Sequence, residues 1–516
     1  MPACVARKEW VLAAAVLGSS MSLVDESVVN VALPRIEAQL DATLPAMQWI
    51  INAYTLCISA LLLVGGAAAD QYGRRRVFLI GITIFTIASI GCGLAPHISV
   101  LVASRAVQGL GAALLIPCSL ALIGAAYDEK ERGAAIGIWS GASAVAAGGG
   151  PLLGGWMVDH ASWRLIFLIN PVIALPTIWI ALRRVPESRD PAAPPGLDWT
   201  GSVLAFGALG SLVYGFIAAS HGGWGQAVVV VPVIAGAALL YAFIRVERRS
   251  ASPMMPPELF RSVSFRGINL LTLLLYGALD GALFFLPFLL IQAHGYSATE
   301  AGAIYLPFTI ILAVLSRWSG HLADRFGFRA PLIVGPVVTG VGFMLLGLVG
   351  GASDYWIFLL PMTVLGLGMA ITVAPLTTAV VNGVSERQMG VASGINNAVA
   401  SIAALLFVAV LGTIALGAFG HSLDRHLSTV GASTEVQAVV AQSREAFAPP
   451  SVPATFSAQD QQNVRVVVKD AYVETIRLVM MLAASLSWGA GLVAALTLGA
   501  KNARKGPASP VITQSS

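Results

Sequence analysis

Four charged residues lie deep inside apolar stretches of this sequence: Asp25 and Glu26 in GSSMSLVDESVVNVALP, Arg105 in LVASRAVQGLGAA, and Asp280 in LLLYGALDGALFF. At the centre of a membrane helix each such charge costs about 2.5–3.5 kcal/mol on insertion scales. A chain that keeps them therefore uses them to line a polar cavity, to pair with each other, or to carry a proton or a cation. Asp25 and Glu26 are adjacent, so on a helix they point about 100° apart and cannot share a face. Glu26 shares its face with Asn30, and Asp25 shares its own with Ser22. Which of the two acids matters most is open at this level. Asp280 sits between small residues and reads as a substrate or proton site, or as a structural hydrogen-bonding group. Arg105 reads as a clamp or as part of a proton path. Arg317, nearer a span end, is expected to snorkel.

Other constellations are weaker. GGGPLLGG, from Gly148 to Gly155, has no GKS or GKT ending and lies in an apolar run, which argues against a phosphate-binding loop. Close helix packing with a bend at Pro151 is the better reading. No HxxxH or CxxC spacing suggests a metal, and three of the four cysteines (Cys57, Cys92, Cys118) fall inside apolar runs. His421 and His426 fall in a polar stretch. No nucleophile–base pair is evident, so an enzyme is not expected, and neither is a cofactor or a nucleic-acid partner.

The elements that must position these residues are membrane helices. Of the 516 residues, 57% are hydrophobic and only 11% charged, and the mean hydropathy is +0.80. Soluble domains are typically about 25% charged. The apolar residues form separate runs of roughly 18–25, each enough to cross about 30 Å of hydrocarbon, and the alternating segments of a β-barrel are missing. Fourteen spans are expected, from Val11–Leu33 to Ile476–Leu498. The first reads as a retained span, not a cleaved signal peptide. With the N-terminus inside, 21 of the 30 Lys and Arg fall on the inner side, including Arg7, Lys8 and Arg74–Arg76. From that asymmetry both termini are expected in the cytoplasm, and the expected location is the cell membrane.

One junction occurs twice. GAAADQYGRRR (Gly66–Arg76) returns as GHLADRFGFR (Gly320–Arg329), each where an apolar run breaks into a basic turn. The repetition points to a duplicated half. A six-helix N-terminal bundle is expected over 1–185, linkers and two inserted spans over 186–266, a six-helix C-terminal bundle over 267–505 with a polar outer loop at 417–475, and a cytoplasmic tail at 506–516.

The junction resembles the signature G-x-x-x-D-R-x-G-R-R of the major facilitator superfamily. VDESVVNVALP, WIINAYTL, SRAVQGLGAA, GGGPLLGG and LDWTG are similar to segments of its 14-span drug:proton antiporter branch, the EmrB/QacA type. The resemblance covers about the whole chain. It implies an all-α integral membrane protein with the major facilitator fold, two six-helix bundles plus two inserted helices. It further implies a conformational latch at Gly66, Asp70, Gly73, Arg74 and Arg75, repeated at Asp324 and Arg325, with Gln71 replacing the usual Arg in the first copy. Gly150, Pro151, Gly154 and Gly155 match the antiporter motif, with Ala146 where a glycine is usual. Asp25 falls on the branch's functional acid and Arg105 on its span-four arginine.

The function expected is proton-coupled efflux of lipophilic, cationic drugs by alternating access. Asp25, Glu26, Arg105 and Asp280 would form the proton and substrate site. The alternatives are an exporter or symporter of one endogenous metabolite on the same scaffold, and a receptor or channel that does not transport. The expected partners are a small-molecule substrate, protons and the bilayer, with the chain acting as a monomer and the outer loop offering a place for an adaptor protein.

Overall fold

The structure, a computed structural model, describes residues 8–499 apart from 191–196, 223, 251–252, 254, 353, 383, 385–387, 431–432, 451 and 454–455. Fourteen of its helices are long and apolar enough to cross a membrane. The first six are α1 (Lys8–Leu40), α2 (Leu44–Tyr72), α3 (Arg74–Gly93), α4 (Ile98–Ala126), α5 (Glu129–His160) and α6 (Leu165–Arg184). They form one bundle in which α4 packs on α1, α2 and α3, while α6 closes against α1 and α3. Close approach is set by glycines on α4. A Cβ on Gly109 would lie 2.4 Å from the Tyr54 carbonyl, and one on Gly111 would lie 2.5 Å from the Phe85 amide nitrogen. Small residues of this kind let membrane helices pack backbone to backbone.

Next come α7 (Trp199–Gly222) and α8 (Ala227–Glu247), a hairpin whose first helix lies against α2 and, in the other half, α15. The second bundle is built from α9 (Val263–Leu283) with the short α10 (Leu286–Phe288), α11 (Ala298–Ala303) with α12 (Leu306–Phe326), α13 (Arg329–Val349), α14 (Leu359–Asn382), α15 (Met389–Val430) and α17 (Ala458–Thr497). A thirteen-residue helix, α16 (Thr434–Ala446), joins the last two. The 417–475 stretch, expected as a polar loop, is thus largely helical: α15 and α17 run on past their apolar segments. Arg425 pairs with Glu474 at 3.5 Å, and Arg444 pairs with Asp424, holding these extensions together.

The halves meet along two reciprocal seams: α2 against α15, and α5 against α11 and α12. These are equivalent helices of a duplicated unit, as a parallel repeat about an axis normal to the membrane requires. The α2–α15 seam runs from Gln48, which donates to the Val408 carbonyl at 2.6 Å, to Leu63 beside Gly394. The α5 seam is tight only in its outer half. A Cβ on Gly155 would stand 2.2 Å from the Ala298 carbonyl, and one on Gly302 would stand 2.2 Å from the Pro151 carbonyl. Towards the basic face, a Cβ on Gly133, Gly137 or Gly141 would meet none of the described residues within 4 Å.

Spans nine and ten, expected as continuous helices, are each broken. Pro287 has no N–H, so the Leu283 carbonyl loses its helical donor. The hydroxyl of Tyr305, at the break between α11 and α12, donates to that carbonyl at 3.0 Å. Each break thus places a group that satisfies or needs the other. Replacing Tyr305 by Phe should orphan the carbonyl and lower stability by about 1–3 kcal/mol, read as a lower melting temperature of the purified protein.

Candidate functional site

Glycines that bring α4 against α2 and α3 place Arg105 and Gln108 at the centre of the N-terminal bundle. Arg105 is 1% exposed and Asp25 is 0% exposed, and their side chains meet at 2.5 Å. Every polar atom of the Asp25 carboxylate is used. Its Oδ2 accepts from Arg105 Nη1, while Oδ1 accepts from Gln108 Nε2 at 2.8 Å and from Asn170 Nδ2 at 2.7 Å. Gln108 and Asn170 also donate to the Ser89 hydroxyl, at 2.6 and 2.8 Å. Arg105 reaches further, donating from Nε to the Ile50 carbonyl at 3.1 Å and lying 4.2 Å from the centre of the Tyr54 ring. The Tyr54 hydroxyl is 2.8 Å from Ser22 Oγ.

Glu26 takes the other direction. Together with Asn30 it faces a central cavity of about 230 Å³ between the two halves. Asp280 on α9 lies on the opposite wall, while Tyr54, Arg105, Tyr305 and Thr309 add further polar groups. Among the four charges singled out from sequence, the structure therefore brings Glu26, Arg105 and Asp280 to one cavity. Asp25 stands behind Arg105, in the bundle. Ser89 and Asn170 were not singled out from sequence. Their signal was the same as that of Asp25, a polar side chain within an apolar run.

The glycine-rich segment of α5 serves two faces. Gly150 and Gly154 sit against Ser27 and Val28 of α1, whereas Gly148 faces Thr309 and Gly155 faces Ala298 of the other half. Pro151 lies inside a helix that continues to His160. Beyond it, Asp159 receives the backbone N–H groups of Ala298 and Thr299 at 3.1 and 2.7 Å, capping α11 from the opposite half. Glu37, 2% exposed, accepts from Gln292 at 2.5 Å, and Gln292 in turn accepts from Tyr472. These are the polar ties of the outer face.

At the basic face, Gly73 has φ +112° and Gly327 has φ +71°, so both copies of the junction turn through a backbone region open to glycine. Asp70 pairs with Arg74 at 2.8 Å. Arg74 N donates to the Ser188 carbonyl, and the Glu187 carboxylate accepts from the backbone N–H groups of Arg75 and Arg76 at 3.0 and 3.2 Å. The first copy is thus bound to the linker after α6. Close helix approach here falls on Gly65, whose Cβ would lie 2.1 Å from the Ala113 carbonyl, and not on Gly66, which meets only Pro117 at 3.7 Å. The side chains of Asp324 and Arg325 lie outside those described. Arg329 donates to the Ala495 carbonyl at 3.1 Å.

Fourteen membrane helices in two six-helix bundles around a charged central cavity make a membrane transporter scaffold, not an enzyme. The model of the Major Facilitator Superfamily matches residues 15–200 and 198–408, and the chain belongs to that superfamily. It is 35% identical over 412 residues to the multidrug resistance protein Stp of Mycobacterium tuberculosis (strain CDC 1551 / Oshkosh), covering 80% of this chain and 76% of that one. It is 31% identical over 502 residues to the tetracenomycin C resistance and export protein of Streptomyces glaucescens, covering 96% of this chain and 93% of the relative. Among solved structures, a bacterial homolog of the human lysosomal transporter Spinster, inward-facing and occupied, superposes with a TM-score of 0.68 at 16% identity, covering 97% of this chain and 99% of that one.

The buried pair gives a sharp expectation. Asp25→Asn leaves the Arg105 charge buried without its partner, a loss of about 3–5 kcal/mol. The double variant Asp25→Asn with Arg105→Gln removes both charges and should recover most of it. Thermal melting of the purified single and double variants measures both. Equal melting temperatures for the two would show that the charges do not depend on each other.

Proposed function

We propose that the protein is a proton-coupled exporter of lipophilic, cationic small molecules, working by alternating access in the cell membrane with its basic face and both termini toward the cytoplasm. The observation that carries this reading is one carboxyl group from each half, Glu26 on α1 and Asp280 on α9, on the walls of a single cavity whose remaining lining is largely apolar. An apolar body with a positive charge is the cargo that such walls and such acids suit, because a charge taken from water needs a paired group. The names of the relatives as resistance and export proteins support the direction of transport.

Coupling follows from competition for the same two acids. A cation requires the ionised carboxylate, and a proton discharges it. If cargo-loaded and proton-loaded forms favour different arrangements of the bundles, each cycle exchanges one for the other. A proton moving inward through 100 mV releases about 2.3 kcal/mol, and each pH unit adds about 1.4 kcal/mol. Since about 1.4 kcal/mol corresponds to a tenfold concentration ratio, one proton supports a cargo gradient well above tenfold. Arg105 lines the cavity while holding Asp25, so it positions the site from behind. The outer seam is closed by backbone contact at Gly155 and Gly302, which supports loading from the cytoplasmic side.

In energised inverted vesicles the wild-type protein should quench a lipophilic cationic dye and release protons when dye is added. Glu26→Gln and Asp280→Asn should each reduce uptake at least tenfold. Normal pumping by both variants would remove this site assignment, and dye movement without any pH change would remove the coupling. For the outer seam, Gly155→Val should force α5 from Ala298 and expose the cavity outward. A cysteine at Asn30 should then react faster with an impermeant maleimide added from the outer side. An unchanged rate would mean that the glycine contact does not hold the seam shut.

A further inference from the structure

The central cavity is not the largest apolar space. A second one, of about 440 Å³, lies where the α7–α8 hairpin and the following linker meet α2 and α15. Leu63, Leu209, Phe243, Phe260, Val399 and Ile402 form its apolar walls. Glu247, the last residue of α8, and Arg248 after it also line the cavity, as does Ser59 of α2.

We infer that this seam is a second binding site, distinct from the central cavity, for a lipophilic monocation bearing an N–H donor, with Glu247 as its anionic end. Glu247 is 2% exposed. Its Oε2 accepts from the Met255 backbone N–H at 2.9 Å, but its Oε1 has no donor. Asp198 Oδ2 is in the same condition. Both oxygens lie beside Gly201, whose Cβ would stand 2.9 Å from the first and 2.7 Å from the second, so Asp198 sits next to Glu247 but outside the cavity lining. Among the described residues no Lys or Arg lies within 4.0 Å of either acid. Ser59 Oγ, 8% exposed, is buried without a partner as well.

Buried polar atoms are nearly always satisfied, so the two orphans on residues that line this void, Glu247 Oε1 and Ser59 Oγ, call for a cause. A proton shared between Asp198 and Glu247 would account for the first. It would leave the Ser59 hydroxyl and the apolar volume unexplained. A cation with an apolar body fills the volume, meets Glu247, and offers its N–H to the hydroxyl. The volume lies within the roughly 300–1,000 Å³ of small-molecule sites. Most of the wall comes from the inserted hairpin and its linker, so the inserted pair does more than separate the bundles. It creates a pocket that neither six-helix bundle has alone.

The test uses the purified full chain in nanodiscs of neutral phosphatidylcholine, with ethidium as the cationic probe and pyrene as a neutral lipophile. Ethidium binding should show a component that persists in the Glu26→Gln/Asp280→Asn double variant. That component should weaken at least tenfold in Glu247→Gln and vanish in Ile402→Trp, which fills the void. Pyrene binding and the melting temperature should be unchanged by Glu247→Gln. The inference is overturned if the double variant binds no ethidium, or if its remaining binding ignores Glu247→Gln. It is equally overturned if Glu247→Gln lowers pyrene binding and melting temperature alongside ethidium, the mark of a shared-proton staple. Binding that is sensitive to Glu247→Gln yet indifferent to Glu26→Gln and Asp280→Asn would leave this site standing while the central assignment fell.

Discussion

The ion pair between Arg105 and Asp25 is the constraint around which the N-terminal bundle is organised. Neither side chain has access to water. An unpaired charge there would cost several kcal/mol, and the pair is tolerable because both Asp25 oxygens and the Nε and Nη1 of Arg105 have partners. Residues from four helices meet that demand: Asp25 from α1, Ser89 from α3, Arg105 and Gln108 from α4, and Asn170 from α6. The backbone of α2 contributes through the Ile50 carbonyl. Although Asn170 Oδ1 has no partner, a network this extensive fixes the rotation of each helix about its axis, because a turn of any one would break buried hydrogen bonds.

Around that fixed centre, the duplicated architecture gives two reciprocal seams, and the structure treats them differently. The α2–α15 seam is covered by α7, whose Leu209, Val213 and Ile217 pack with Leu56, Leu405 and Ala409. Among the described residues the α5 seam has no such covering helix, and backbone contact at Gly155 and Gly302 and the Asp159 cap hold it. Contacts made by glycine and by a few hydrogen bonds bury little area. They can therefore be exchanged for others without dismantling either bundle. The inserted hairpin thus confers an asymmetry on a fold that duplication alone would make symmetric.

Much of this was legible in the residues. Run length gave the fourteen helices, and the doubled glycine turn marked equivalent positions, because Gly73 and Gly327 both occupy a backbone region that other residues avoid. Adjacency on a helix separated the directions of Asp25 and Glu26. Other features lay beyond sequence. The breaks in spans nine and ten were not read from the residues, because an apolar run with a proline can continue as helix, and α5 does so through Pro151. Which glycine makes a close contact depends on helix rotation, so Gly65 and Gly66 could not be told apart. The helical extensions of α15 and α17 escaped because polar composition reads as loop, whereas paired charges on facing helices stabilise it as helix.

The adjacency of Asp25 and Glu26 has a structural consequence. One peptide unit joins an acid locked into the bundle to an acid facing the cavity, and Arg105 touches both environments, since it holds Asp25 and lines the cavity wall. Glu26 therefore shares its cavity with a guanidinium whose position is set by the network behind it. On the opposite wall Asp280 sits just before the break in α9, where the Tyr305 hydroxyl, at the break between α11 and α12, donates to the Leu283 carbonyl. The two walls of the cavity thus differ in build: α1 is continuous and tied into the bundle network, whereas α9 ends at a break that the neighbouring span helps to satisfy.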